Sequence, residues 1–142
     1  MVRQQELRVK ANIANLGSIS EFVRDVGRYL GLPEDTLFDI DLAVEEAASN
    51  IIRHAYPPGL SGDMLLRIET TDDVVRVVLT DWGQPFDADT VRPFDLDASA
   101  ETRAKGGTGL HLIRSLMDDV VRETSPSVGG PNVLILSKRM EH

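Results

Sequence analysis

The residues best suited to chemistry begin with a glutamate and an asparagine four positions apart, Glu46 and Asn50. In a helix such residues are neighbours, and His54 lies one turn further along the same face. An asparagine carbonyl is a hard oxygen donor suited to Mg²⁺, and a glutamate one turn away could act as general base towards a hydroxyl nucleophile. Arg53 and His54 could reach a phosphate. The spacing indicates a metal–nucleotide site, although a solvent-exposed helix face would carry the same residue types.

A second motif follows a predicted strand that ends at Thr80. Asp81 comes directly after that strand, and Gly83 comes two residues later. Asp81 could accept a hydrogen bond from an exocyclic amine such as that of adenine, and a buried carboxylate would then reject bases that lack this donor. Because Asp-x-Gly is also common in turns, the motif alone leaves a plain turn open.

A glycine-rich segment, Lys105 to Leu110, opens a predicted helix. Its glycines, Gly107 and Gly109 among them, let the backbone approach phosphates, and the first amides of a helix point at an anion. The alternative is a flexible helix entry with Thr108 as N-cap. The segment is not a Walker A motif, because Lys105 precedes the glycines. It is not a dinucleotide fingerprint either, because no strand runs directly into it.

The helix that carries the first motif is predicted from Pro33 to about Ala55. Seven apolar residues fall on one side of it, which should pack against a sheet. They are Leu37, Ile40, Val44, Ala47, Ala48, Ile51 and Ala55. The opposite side is polar, and it holds Asp39 together with Glu46, Asn50 and Arg53.

The other elements follow from alternation and from turn residues. They are a first strand alternating over Leu7, Val9, Ala11 and Ile13; a helix capped by Ser18 or Ser20 and ended by Gly31; strands Met64–Thr70 and Val74–Thr80 in a hairpin; a helix Leu110–Met117; and strands Asp119–Glu123 and Asn132–Ser137. Residues 84–108 show no sustained periodicity, which indicates a lid or a floppy surface loop.

Composition narrows the class of protein. The 142 residues suit one domain, and the net charge of −8 argues against nucleic acid or an anionic membrane as the main partner. The lack of cysteine excludes disulfide scaffolds, thiolate zinc sites and thiol catalysis. We see neither a signal peptide nor a run of roughly 20 apolar residues, so we expect a cytoplasmic location.

The order of the motifs is more specific than any one of them. Glu-x-x-x-Asn on a helix, Asp-x-Gly after a strand, a long loop and Gly-x-Gly-Leu into a helix resemble the ATPase fold shared by histidine kinases, gyrase and MutL. Without further domains, the chain resembles the anti-sigma factor serine/threonine protein kinases of bacterial stress-response and sporulation circuits. Residues 41–56 are especially similar to the first box of that family.

This resemblance, which spans nearly the whole chain, implies a fold. That fold is a two-layer α+β sandwich of the Bergerat type, with a mixed, mainly antiparallel sheet, helices on one face, and ATP held between helix and lid. It also implies one histidine kinase-like ATPase domain over residues 1–142, with the ATP lid at about 84–108.

The resemblance also implies roles for single residues. Glu46 matches the general base, Asn50 the Mg²⁺ ligand, and Arg24 on the first helix a residue presented to protein partners. Asp81 matches the residue that reads adenine, with Gly83 allowing close packing on the base. The full set expected to bind ATP is Asn50, Arg53, His54, Asp81, Gly83, Lys105, Gly107, Thr108, Gly109 and Leu110. Arg103, like Lys105, would lie in the lid near the γ-phosphate.

The implied function is that of an anti-sigma factor with ATP- and Mg²⁺-dependent kinase activity towards a serine or threonine of an anti-anti-sigma protein of the STAS type. The same protein would sequester a sigma factor. The sequence does not decide between a monomer and a homodimer. Histidine autokinase activity is not expected, because no histidine stands in a phosphoacceptor setting and no dimerisation hairpin is present. The alternatives are a nucleotide-responsive binding module that regulates its partner without phosphotransfer, and a nucleotide-free interaction domain.

Overall fold

The computed structural model describes residues 3–57, 62–86 and 109–140. The helices and strands in these ranges are β1 (Arg3–Lys10), α1 (Leu16–Tyr29), α2 (Glu34–His54), β2 (Asp63–Thr71), β3 (Val74–Asp81), α3 (Gly109–Leu116), β4 (Asp119–Glu123) and β5 (Asn132–Arg139). Of the predicted lid, only residues 84–86 fall within these ranges. None of the helices in the described part of the chain is long and apolar enough to cross a membrane.

The five strands form one sheet in the order β1-β2-β3-β5-β4, and each neighbouring pair is antiparallel. The predicted, mainly antiparallel sheet is therefore confirmed. A two-residue turn joins β2 to β3, and Asp72 in it has a left-handed φ of 54°, which aspartate tolerates better than most residues. In the β3–β5 pairing, Asp81 lies opposite Asn132.

The hydrophobic core lies between the helices and one face of the sheet. Side chains in β2 alternate between buried and half-buried, with Met64, Leu66 and Ile68 on the buried face. The register places Leu66 between Leu7 of β1 and Leu79 of β3 on this face. All seven residues of the predicted apolar side of α2 are buried in the same core, so the predicted helix layer on one face of the sheet is confirmed.

Two local predictions near the N-terminus are wrong. Strand β1 ends at Lys10, and Ile13 lies 59% exposed in a short 3-10 turn that the Asn12 side chain stabilises by accepting from the Ala14 N–H. Helix α1 begins at Leu16, ahead of both serines predicted to cap it. The Ser20 hydroxyl instead donates to the Asp41 carboxylate at 2.8 and 3.0 Å, which ties α1 to α2.

Lys138 of β5 holds the third helix in place. Its Nζ donates to the carbonyl of Leu116, at the end of α3, at 2.6 Å, and lies 3.4 Å from the carboxylate of Asp39 on α2. A cation at the C-terminal end of a helix satisfies a free carbonyl and complements the helix dipole. Strand β5, α3 and α2 are therefore joined at one end of the core.

The burial pattern predicts unequal costs for two neighbouring leucines. Leu66 is fully buried, so Leu66→Ala should lower the free energy of unfolding by about 2–5 kcal/mol through lost burial and a residual cavity. Leu65 lies on the opposite face and is only half-buried, so Leu65→Ala should lower the free energy of unfolding by about 1 kcal/mol or less. Urea unfolding of the two variants measures both values. Equal losses would contradict the assignment of the two faces.

Candidate active site

Helix α2 brings a buried asparagine to the surface of a cleft. Asn50 is 4% exposed, and its Oδ1 accepts a hydrogen bond from Nη2 of Arg53 at 3.2 Å. Arg53 itself is exposed, and Glu46 is half-buried one turn earlier on the helix. The predicted polar side of α2 therefore contains a buried amide oxygen flanked by a carboxylate and a guanidinium.

Asp81 ends β3 on the inner face of the sheet and is 4% exposed. Its Oδ1 accepts from the backbone N–H of Gly83 and from Nδ2 of Asn132, both at 3.0 Å. The same Nδ2 donates to the carbonyl of Gly83 at 3.0 Å. A buried carboxylate needs such donors, because an unpaired charge in the interior is costly.

Asn50 and Asp81 line the same cleft, which encloses a cavity of about 30 Å³. The cleft walls are mostly apolar, with a few polar groups. The remaining lining residues are Ala47, Ile51, Phe86, Leu110, Ile113, Arg122, Asn132, Val133 and Leu134. This mixture of apolar walls with a few placed polar groups is typical of small-molecule sites.

The chain after Asp81 is fastened to the C-terminal end of α2. The backbone N–H of Gln84 donates to the carbonyl of Ala55 at 2.6 Å, and the Gln84 side chain donates to the carbonyl of His54 at 3.0 Å. A Cβ on Gly83 would lie 2.2 Å from the Ala55 carbonyl oxygen, so only glycine permits this approach. The close contact with α2 therefore explains why residue 83 is a glycine. This reason is separate from the role that the resemblance implies, which is close packing on the base.

Aromatic contacts close one side of the cleft. The ring of His54 lies 5.6 Å from that of Phe86, and the guanidinium of Arg122 lies 4.4 Å over Phe86. Burial lowers the pKa of His54 below its ordinary value of 6.5, and the charge of Arg53 lowers it further. His54 is therefore mainly neutral at pH 7 and packs against Phe86. Its buried Nε2 has no hydrogen-bond partner within the described ranges.

The other predicted site residues fall in three places. Gly109 and Leu110 begin α3, and Leu110 is buried against the cleft. Arg24 is exposed on α1, where its Nε lies 3.9 Å from Asp41, and it is not part of the cleft lining. Arg103, Lys105, Gly107 and Thr108 lie outside the described residues.

Among the polar and aromatic residues of the cleft, sequence reasoning missed Phe86, Arg122 and Asn132. The available signal for Asn132 was a polar residue directly before the apolar run 133–136. Its pairing with Asp81, 51 positions away, depends on the strand register, which the sequence pattern does not reveal.

The described residues contain no group of three or more histidine, cysteine or acidic side chains that could hold a metal ion. Mg²⁺ bound with a nucleotide does not require such a cage, because waters and phosphate oxygens supply most of its ligands. The single buried amide oxygen of Asn50 is consistent with that mode of binding.

Comparisons with known proteins agree with this geometry. The family model of the histidine kinase-like ATPase domain matches residues 9–138. The serine-protein kinase RsbW of Halalkalibacterium halodurans is 34% identical over 140 residues, covering 96% of this chain and 83% of that protein. RsbW of Staphylococcus aureus is 33% identical over 128 residues, covering 87% of this chain and 80% of that protein.

A solved structure shows the same fold. The crystal structure of the RsbU and RsbW domains of Rv1364c from Mycobacterium tuberculosis superposes with a TM-score of 0.71 at 18% identity. The match covers 97% of this chain but only 32% of that longer one. The resemblance drawn from the motifs is thereby confirmed, and the chain belongs to the histidine kinase-like ATPase family, among the RsbW serine-protein kinases.

Proposed function

We propose that this protein is an anti-sigma factor that binds ATP in the cleft and transfers the γ-phosphate to a serine or threonine of an anti-anti-sigma protein. The observation that carries the proposal is the convergence of Asp81 and Asn50 on one cleft from opposite sides, a strand end and a helix. The RsbW relatives, named as serine-protein kinases, support it.

The proposed orientation of ATP follows from the polar groups of the cleft. The carboxylate of Asp81 is the acceptor for the 6-amino group of adenine, in a part of the cleft with apolar walls such as Ile113 and Leu134. Asn50 and Arg53 lie on the α2 side of the cleft, where they would bind the phosphates. The first amides of α3, from Gly109 onward, together with the predicted lid at 84–108, complete the phosphate site in this proposal.

Glu46 is the proposed general base. The oxygen of the acceptor hydroxyl attacks the γ-phosphorus, the bond to the bridging oxygen of ADP breaks, and Glu46 takes the hydroxyl proton. Glu46 is half-buried and lies one helical turn from Asn50. In this proposal it would therefore lie beside the phosphates and within reach of an incoming substrate. The rest of catalysis in this reaction class is positioning and charge neutralisation.

Asn50 is the proposed ligand of Mg²⁺. Its donor chemistry fits, because the side chain offers a buried, hard amide oxygen at the edge of the cleft. When bound, the ion would neutralise charge on the phosphates. Arg53 donates to the same Asn50 oxygen, so it holds this oxygen in place and keeps a second positive charge close by.

The partners in this proposal are a sigma factor and a STAS-type antagonist, which would place the protein in the cytoplasm. Arg24 is a candidate contact with them, because it is exposed on α1. The carboxylate of Asp41, which accepts from the Ser20 hydroxyl, lies 3.9 Å from Nε of Arg24. A homodimer could form at one of the edge strands of the sheet, β1 or β4.

Two neighbouring glutamates allow a matched test of the kinase proposal. Glu46→Gln should lower the rate of transfer of labelled γ-phosphate to the antagonist protein by about a hundredfold or more, because the general base is lost. Glu45→Gln alters an exposed side chain next to it and should leave the rate within about twofold.

The affinity for ADP should stay similar in both variants, which separates catalysis from nucleotide binding. Full activity of Glu46→Gln would contradict the role given to Glu46. A wild-type protein that binds ATP and its antagonist but transfers no phosphate would instead support the regulatory module without phosphotransfer.

Asn50→Ala should remove the effect of Mg²⁺ on nucleotide affinity. In the wild-type protein we expect Mg²⁺ to tighten ATP binding relative to EDTA, since the ion links the Asn50 oxygen to the phosphates. In the variant, calorimetric titrations with and without Mg²⁺ should give similar affinities. Thermal unfolding of the variant checks that it is folded. An undiminished Mg²⁺ effect in a folded Asn50→Ala protein would contradict the assignment.

A further inference from the structure

Asn132 lies at the adenine side of the proposed site. It is the first residue of β5, is 6% exposed, and pairs across the sheet with Asp81. It also lines the cleft. A buried asparagine needs partners for both ends of its amide.

The Asn132 amide has partners at both ends, and these partners determine its orientation. Nδ2 donates one hydrogen to Oδ1 of Asp81 and one to the carbonyl of Gly83, each at 3.0 Å. Oδ1 of Asn132 accepts from the backbone N–H of Ser125 at 3.0 Å. The flipped amide would set an oxygen against two acceptors and an NH₂ group against a donor, so this orientation is the one that the network permits.

These bonds leave the two oxygens of Asp81 unequal. Oδ1 already accepts from Asn132 and from the N–H of Gly83. Within the described ranges no group donates to Oδ2. A half-turn of the carboxylate only exchanges its two equivalent oxygens, so one oxygen, Oδ2 here, is left to accept from a ligand.

We propose that Asn132 is a positioning residue that determines base specificity. By holding Oδ1, it presents Oδ2 of Asp81 to the base and so selects a purine with a 6-amino group. A 6-oxo purine would set an acceptor against Oδ2 and leave that oxygen without a donor. The inference rests on the proposed nucleotide site and adds to it a residue that does not itself need to touch the nucleotide.

A purely structural role for Asn132 makes a different prediction. The bond to Ser125 also fastens the loop between β4 and β5, so loss of Asn132 could weaken binding of every nucleotide alike. The useful quantity is therefore the ratio of affinities for ATP and for purine riboside triphosphate, which differs from ATP only in lacking the 6-amino group. A general disturbance of the cleft cancels in this ratio.

The experiment titrates both nucleotides, with Mg²⁺, into the wild-type protein, Asn132→Leu and Asn132→Thr. Asn132→Leu removes both donors at similar size and should lower the preference for ATP by about tenfold, the worth of one charge-assisted hydrogen bond. Asn132→Thr keeps one hydroxyl donor for Asp81 and should retain the preference to within about threefold. If Asn132→Leu does not fold, Asn132→Ala takes its place, with the same expected direction.

The outcomes separate this inference from the proposed function. An unchanged ratio in a folded donor-less variant, with both affinities reduced equally, would overturn the role of Asn132 and leave the nucleotide site intact. A wild-type protein that binds neither nucleotide would overturn both. Loss of the preference for ATP in Asn132→Leu, together with its retention in Asn132→Thr, would support the inference.

Discussion

The burial of one carboxylate, that of Asp81, is the constraint on which the rest of the site depends. A charge that is 4% exposed is tolerable only with hydrogen-bond donors, and Asp81 obtains them from Gly83 and Asn132. One donor is two residues away in the chain and the other is 51. The carboxylate is therefore held only when the turn after β3 and the register of β3 with β5 are both correct.

The same turn connects the proposed adenine side of the cleft to the proposed phosphate side. Gln84 satisfies the last carbonyls of α2, at His54 and Ala55, which would otherwise lack partners at the helix end. Because Asn50 lies one turn earlier on that helix, the contacts of Gln84 and Gly83 fix its position relative to Asp81. Rigid separation of two binding groups suits phosphoryl transfer, where the protein contributes mainly positioning.

Much of the fold could be predicted because it follows local periodicity. The apolar side of α2 and the hairpin of β2 and β3 arise from patterns within short segments, and the motifs on them identified the family. The failures at Ile13 and at the start of α1 arose because a short turn, closed by the side chain of Asn12, comes between β1 and α1, and no alternation records it. Asn132 was missed because its role depends on pairing between distant strands.

The central claim is that the cleft between α2 and the sheet binds ATP with its base on Asp81. A calorimetric titration of Mg–ADP into the wild-type protein and into Asp81→Asn tests it most directly, since the substitution keeps the shape of the side chain and removes its charge. We expect saturable binding at one site, weakened about tenfold or more in the variant. Equal affinities in the two proteins, or no binding at millimolar ADP, would contradict the claim.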